Sequence, residues 1–136
     1  MKKQLKFIEL KSGYANEDGP AWIGYVEFSK SGRTMYFDGK ALKGNGHGAC
    51  VDIETGEKYW ASGIKKYGSN RHVFGTGVVF IEEAAVEEFL NVTGRTSLNP
   101  QRYTVVNLTQ TDKLKFMEIE NSKLYDLNES IPENSL

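Results

Sequence analysis

The sequence predicts a mainly β (α+β) protein, a strongly bent antiparallel sheet or small β-barrel of hairpins with one short amphipathic helix. Turn signals rich in glycine recur along the chain, and the segments between them alternate apolar and polar side chains with a period of two, as strands do. Only one segment shows the helical period. We therefore expect six to eight strands and not a parallel sheet with several crossover helices, because the helical period is scarce.

Tight turns separate the predicted strands. Ser31-Gly32, Asp38-Gly39 and the segment 54–57 each connect two alternating segments, because glycine supplies the positive φ that a short hairpin turn needs. Three glycines in five residues make the segment 43–48 a loop. The predicted strands span residues 5–10, 22–28, 33–37, 40–43, 51–53, 58–64, 72–81, 102–108 and, as an edge strand, 115–119. Within 72–81, the glycines at 75 and 77 predict a bulge or a close backbone approach.

The predicted helix covers residues 82–92. Apolar side chains recur four residues apart, at Ile81, Ala85 and Phe89 and again at Val86 and Leu90. Glu82 and Glu83 lie in the first turn, where the helix dipole favours acidic groups, and Gly94 is a typical stop. This period predicts a short helix lying on the sheet.

We expect one β-rich domain over residues 1–127 and a flexible tail over 128–136, since the tail is polar and ends freely. The predicted core residues lie on the apolar phase of a strand or of the helix. They are Phe7, Trp22, Val26, Phe28, Val78, Phe80, Phe89 and Leu90.

Composition narrows the class of protein. Apolar residues make up 39% of the chain, enough for a core, and the longest apolar run, 77–81, is far too short to span a membrane. No apolar stretch follows the N-terminal lysines, so we expect no signal peptide and a cytoplasmic location. The single cysteine, Cys50, cannot form an intramolecular disulfide and is interpreted as a packing residue.

Charge is unevenly distributed around a net charge of −1. Residues 21–80 contain eight Lys or Arg against five Asp or Glu, and residues from 82 onward contain five against ten. The β-rich segment is therefore mildly basic and the C-terminal part acidic.

The densest group of cations and aromatic rings lies between residues 59 and 72. Such a mixture suits phosphate contacts combined with base stacking, so we take it as a candidate surface for nucleic acid or another anionic partner. The candidate binding residues are Trp60, Lys65, Lys66, Tyr67, Arg71 and His72, with His47 as a further candidate. The alternative interpretation is a solvated hairpin tip with Trp60 in the core.

Two other hypotheses stay open. One is a protein-interaction or homodimerising domain without ligand chemistry. The other is a small metal-independent nuclease in which His72 acts as acid or base while Arg71 or Lys65 steadies a phosphate. With two histidines and one cysteine we expect no metal site. The glycines at 44, 46 and 48 lack the spacing of a dinucleotide fingerprint. We expect no cofactor, assign no catalytic residue and favour a protein that is not an enzyme.

Four segments together carry a resemblance to a known group. They are Gly19-Pro20-Ala21-Trp22-Ile23-Gly24-Tyr25-Val26, Ser31-Gly32-Arg33-Thr34-Met35-Tyr36-Phe37, Asp52-Ile53-Glu54-Thr55-Gly56-Glu57-Lys58-Tyr59-Trp60 and Arg71-His72. Over residues 7–106 the chain resembles a group of small bacterial proteins without an established activity, some of which carry the name deoxyxylulose-phosphate synthase. That enzyme holds thiamine diphosphate and a divalent metal between large α/β domains. This chain is several times too short for such domains and lacks the Gly-Asp-Gly motif that leads to a metal-binding Asn. The resemblance therefore implies neither a catalytic residue nor a cofactor.

Overall fold

The computed structural model describes residues 3–68, 70 and 75–120. The predictions for Arg71, His72 and the tail 128–136 lie outside these residues. Eight strands are present: β1 (Lys3–Leu10), β2 (Ala21–Phe28), β3 (Thr34–Phe37), β4 (Lys40–Lys43), β5 (Gly48–Asp52), β6 (Lys58–Ser62), β7 (Val79–Glu82) and β8 (Tyr103–Val106). A 3-10 turn (Glu83–Ala85) leads into helix α1 (Val86–Thr93), and a second helix, α2, covers residues 113–120.

Six of the strands close into an antiparallel barrel. Going round it, β1 pairs with β6, then follow β5, β4, β3 and β2, and β2 pairs with β1 again. The predicted turns make this order: Asp38 and Gly39 both have positive φ, 48° and 75°, which is the backbone of a two-residue hairpin turn. The predicted fold class, a small β-barrel with a short helix, is confirmed.

Strands β7 and β8 extend the sheet beyond the barrel. The first half of β2 pairs with β7, and β7 pairs with β8, both in parallel orientation. Of the strand predicted over 72–81 with an interruption at residues 75–77, the described part forms a strand only from Val79, and the expected close backbone approach is present at Gly77. A Cβ there would lie 2.0 Å from the carbonyl oxygen of Gly19, so only glycine fits.

The parallel pairing also corrects the predicted core. Val78, expected inside, is 53% exposed, whereas Val79 and Ile81 are buried. Register explains the difference, because Val79 lies opposite Ala21 and Ile81 opposite Ile23, so these four side chains share one face.

Three apolar clusters fill the molecule. The barrel interior is formed by inward side chains of β1 to β6, among them Ile8, Val26, Met35 and Leu42. A second cluster packs the outer surface of β1 and β2 against β7 and α1, and a third packs the outer surface of β3 and β4 against α2. Of the predicted core residues Phe7, Val26 and Phe89 are buried, whereas Trp22, Phe28, Phe80 and Leu90 are half-buried.

Helix α2 replaces the edge strand predicted over 115–119. The carboxylate of Asp112 accepts a hydrogen bond from the backbone N–H of Lys115 at 3.2 Å, which is the geometry of a helix N-cap. Phe116 and Ile119, three residues apart, then fall on one face and pack against Tyr36 and Ala41. The N-cap at Asp112 and the spacing of Phe116 and Ile119 therefore favour a helix in this segment over the edge strand that was predicted.

Helix α1 follows the prediction closely. It begins four residues later than expected because Glu82 ends β7 and residues 83–85 form the 3-10 turn, and it ends at Thr93, followed by Gly94, whose φ of 68° is the left-handed cap conformation. Among the described residues, neither helix has the length and apolar character needed to cross a membrane.

Candidate functional site

The structure places the predicted site residues that it describes on strand β6, in the loop before β5 and in the segment after β6. Trp60 lies on β6 with its side chain on the outside of the barrel, 46% exposed, so the alternative with Trp60 in the core does not hold. His47 is exposed in the loop before β5. Lys65, Lys66 and Tyr67 are exposed in the segment that continues β6, and Tyr67 is 80% exposed.

The outer surface of β5 and β6 is the one we call the Trp60 face, formed by Lys11, Lys43, Val51, Lys58 and Trp60. Lys58 and Trp60 are two residues apart on β6 and therefore point to the same side of the sheet. Val51 pairs with Lys58 across β5 and with Lys43 across β4. Lys11, which follows β1, donates its backbone N–H to the Lys58 carbonyl at 2.8 Å.

This register places the three lysines in a row across four strands. Neighbouring strands lie about 5 Å apart, so the backbones at Lys11 and Lys58 are separated by about 5 Å. Lys43 is two strands from Lys58, which separates their backbones by about 10 Å. Lys11 pairs with the carboxylate of Glu9 at 3.2 Å. In the part of the chain that the structure describes, Lys43 and Lys58 have no ion-pair partner, so their charges face solvent. The row was missed from the sequence because its members come from separate strands; the one local signal is the two-residue spacing that puts Lys58 on the same side as Trp60.

Trp60 is held in place by its neighbours on the sheet. The ring lies near the backbone of β5, where a Cβ on Gly48 would be 3.7 Å from the far edge of the indole. The indole therefore lies beside the strand and still presents about half of its surface to solvent. An exposed, fixed aromatic ring is a stacking platform for a flat ligand.

The segment after β6 is fixed by one amide side chain. Asn70 donates from Nδ2 to the Ser62 hydroxyl at 3.1 Å and to the Gly63 carbonyl at 2.7 Å, and its Oδ1 accepts the backbone N–H of Lys65 at 3.0 Å. Asn70 thereby positions Lys65. The Lys66 ammonium lies 5.6 Å from the centroid of the adjacent Tyr67 ring.

Arg95, just after α1, connects the same segment to β8. Its Nη1 donates to the Tyr103 hydroxyl at 2.9 Å and its Nη2 to the Gly68 carbonyl at 3.0 Å. The guanidinium also lies 5.8 Å from the centroid of Phe89. Arg95 is therefore a structural clamp between the segment and the helix layer, and the sequence analysis did not identify it.

A cleft of about 750 Å³ opens between this segment, β8 and α1, and we call it the Lys65 cleft. Its floor includes the nearly buried Phe7, Ile23 and Phe89, and its mouth includes the exposed Lys65 and Arg102. Of the predicted binding residues that the structure describes, Lys65 alone lines it.

The glycine loop before β5 closes one end of the barrel. A Cβ on Gly46 would lie 2.8 Å from the Phe28 ring and 3.4 Å from Cε of Lys6, so the loop packs directly on the interior. Lys6 is buried on the inner face of β1, and burial lowers the pKa of its amine. Gly46 therefore serves the packing of this loop on the barrel.

Cys50 lies inside the barrel, where burial raises the pKa of its thiol to about 11. A thiol that stays protonated at neutral pH is a poor nucleophile, as expected for a packing residue. Tyr59 packs in the same cluster, and burial raises the pKa of its hydroxyl to about 12. Within residues 3–68, 70 and 75–120, no group of three His, Cys, Asp or Glu side chains is arranged to hold a metal ion.

The chain matches no protein-family model, no curated protein and no solved structure. The resemblance to the group of small bacterial proteins therefore stays an expectation, and function has to be argued from the surfaces of the molecule.

Proposed function

We propose that this protein is a non-catalytic module that binds single-stranded nucleic acid across the Trp60 face. The observation that carries the proposal is the position of a half-exposed indole beside a row of three lysines, on a surface of the barrel that no described helix covers. The proposal moves the centre of the predicted basic and aromatic surface from the segment 65–72 to the sheet itself.

Stacking supports an unpaired base as the ligand. Trp60 exposes 46% of its surface to solvent, and Val51, 39% exposed, adds apolar surface on the neighbouring strand. In a duplex the flat faces of the bases are already stacked on one another, whereas a single strand can place a base on an aromatic side chain. Such a stack contributes about 1–3 kcal/mol per base and depends little on sequence.

Charge supports a phosphate backbone as the second part of the ligand. Lys43 and Lys58 carry no ion-pair partner among the described residues, and each has a long stem that reaches beyond the sheet surface. Lys65 and Lys66, in the segment that continues β6, add positive charge, and Tyr67 adds a second exposed ring. Binding of this kind releases counterions and is therefore salt-dependent.

Oligothymidylate labelled with fluorescein tests the proposal by anisotropy between about 50 and 200 mM salt. Trp60→Ala is expected to weaken binding by about 1–3 kcal/mol. In Lys43→Ala/Lys58→Ala the slope of log K against log salt should be smaller by about 1.4, since each lost contact to a single strand removes about 0.7. Lys30→Ala, in the exposed β2–β3 turn, is the matched control and should bind as the parent does.

The same experiment separates the alternatives. Binding that is absent at low salt, or that is unchanged in both variants, overturns the proposal. A dimer that dissociates in Trp60→Ala would then favour the protein-interaction hypothesis, with a second copy on this face. Cleavage of RNA in the presence of a chelator would favour the nuclease hypothesis, whose residues Arg71 and His72 lie outside the described part of the chain.

A further inference from the structure

We infer that the Lys65 cleft is a second binding site, which takes a small organic anion with a compact apolar body. The inference goes beyond nucleic-acid binding and does not depend on the Trp60 face. Its volume of about 750 Å³ falls within the range of small-molecule sites, about 300–1,000 Å³.

Charge in the cleft is one-sided. Two cations, Lys65 and Arg102, line the mouth, and no Asp or Glu is present among the described residues that line it. The chain as a whole contains 18 acidic residues and 17 basic ones. The excess of positive charge around the cleft is therefore specific to this part of the surface. Neither cation has an ion-pair partner in the described part of the chain. An anionic group on the ligand is therefore the complementary chemistry.

A carboxylate near the cleft is bonded to one of the residues that line it. Asp18 is the carboxylate bonded to a lining residue: its Oδ1 accepts the Thr76 hydroxyl at 3.0 Å and the Thr76 backbone N–H at 3.3 Å. Asp18 itself does not line the cleft. Its contact anchors the wall at residues 75–78 and leaves the positive charges of Lys65 and Arg102 without competition.

The floor gives the ligand its apolar half. Phe89 and Tyr103 meet edge to face with their centroids 5.5 Å apart, beside Ile23 and Phe7. Arg95 fixes the Tyr103 hydroxyl and the Gly68 carbonyl, and Asn70 fixes the backbone of Lys65. These bonds fix the backbone around the mouth, whereas the exposed side chains of Lys65 and Arg102 become ordered only when an anion binds.

The test compares ligands that share a body and differ in charge. Binding of 1-naphthyl phosphate and of 1-naphthol is measured by ligand-observed NMR and calorimetry, with the parent and with Lys65→Ala/Arg102→Ala. The parent is expected to bind the phosphate at least about tenfold more tightly than the alcohol, and the double variant should lose that preference. Thermal unfolding of the double variant should match the parent, since both side chains are exposed.

Trp60→Ala separates this site from the proposed function. It should bind 1-naphthyl phosphate as the parent does, whether or not oligothymidylate binding is lost. Equal affinity for phosphate and alcohol overturns the inference, and so does a double variant that binds the phosphate like the parent. Loss of 1-naphthyl phosphate binding in Trp60→Ala, or no binding by the parent at millimolar ligand, overturns it as well.

Discussion

The barrel has two outer surfaces that are covered and one that is not. The outside of β1 and β2 lies under β7 and α1, and the outside of β3 and β4 lies under α2. The outside of β5 and β6 carries no covering helix among the described residues, yet it presents Trp60 and Val51 to solvent. Phe89 and Phe116, on the covered surfaces, are 2% and 1% exposed, whereas Trp60 is 46% exposed. That contrast is what points to recognition on the Trp60 face.

Phe89→Ala tests the covered surface and should have the largest effect. The ring is 2% exposed and packs against Tyr103, so its removal leaves a cavity between α1 and the barrel. We expect the free energy of unfolding to fall by about 3–5 kcal/mol in a urea titration. Val92→Ala, on the exposed side of the same helix, is the control and should change it by less than about 0.5 kcal/mol. A loss below about 1 kcal/mol for Phe89→Ala would mean that α1 is peripheral and that the contrast between the surfaces fails.

The titration of Cys50 tests whether solvent is excluded from the inner face of β5, although the outer face of that strand is exposed. Its thiol has a pKa of about 11 in the folded protein because of burial, against about 8.5 in an unfolded chain. Between those two values the unfolded chain has lost the proton and the folded protein keeps it, so stability falls as pH rises through this window. The loss attributable to Cys50 approaches about 2–3 kcal/mol near pH 11.

Urea titrations of the parent and of Cys50→Ala between about pH 8 and 11 measure this contribution as the difference between their pH dependences. Tyr59, with its pKa raised to about 12, contributes a further alkaline loss that both proteins share. Parallel pH curves for the two proteins would show that solvent reaches the thiol and that β5 is open on both sides.

How much of this could be predicted from the sequence depends on the element. Hairpins were predictable because glycine and aspartate set the turns locally, as at Asp38-Gly39. The parallel strands and α2 were not, because their pairing and packing depend on distant segments. Val78 is an example. The alternation of side chains along a strand does not show which of its two faces is buried. Here the pairing with β2 determines it, and it buries Val79 instead of Val78.

The candidate site follows the same division. The sequence placed Trp60 and Lys65 in one cluster because they are close along the chain. The fold gives them different surroundings. Trp60 lies two residues from Lys58 on β6 and opposite Glu9 of β1 and Ala49 of β5, and Lys65 lines a cleft that also includes Arg102. Cross-strand neighbours such as Lys43 carry no local signal that links them to Trp60, so this part of the site required the register of the barrel.

Trp60→Ala is expected to reduce stability much less than Phe89→Ala does, and it gives the most direct test of the comparison. About half of the indole is already in solvent, and its contact with β5 is made at the backbone near Gly48, so the free energy of unfolding should fall by about 1 kcal/mol or less. A loss as large as that of Phe89→Ala would mean that the Trp60 face is a structural surface like the other two. If the loss is small while oligothymidylate binding weakens as expected, the side chain serves recognition and not the fold. Measuring both quantities on the same variant is what distinguishes a surface kept for binding from one kept for packing.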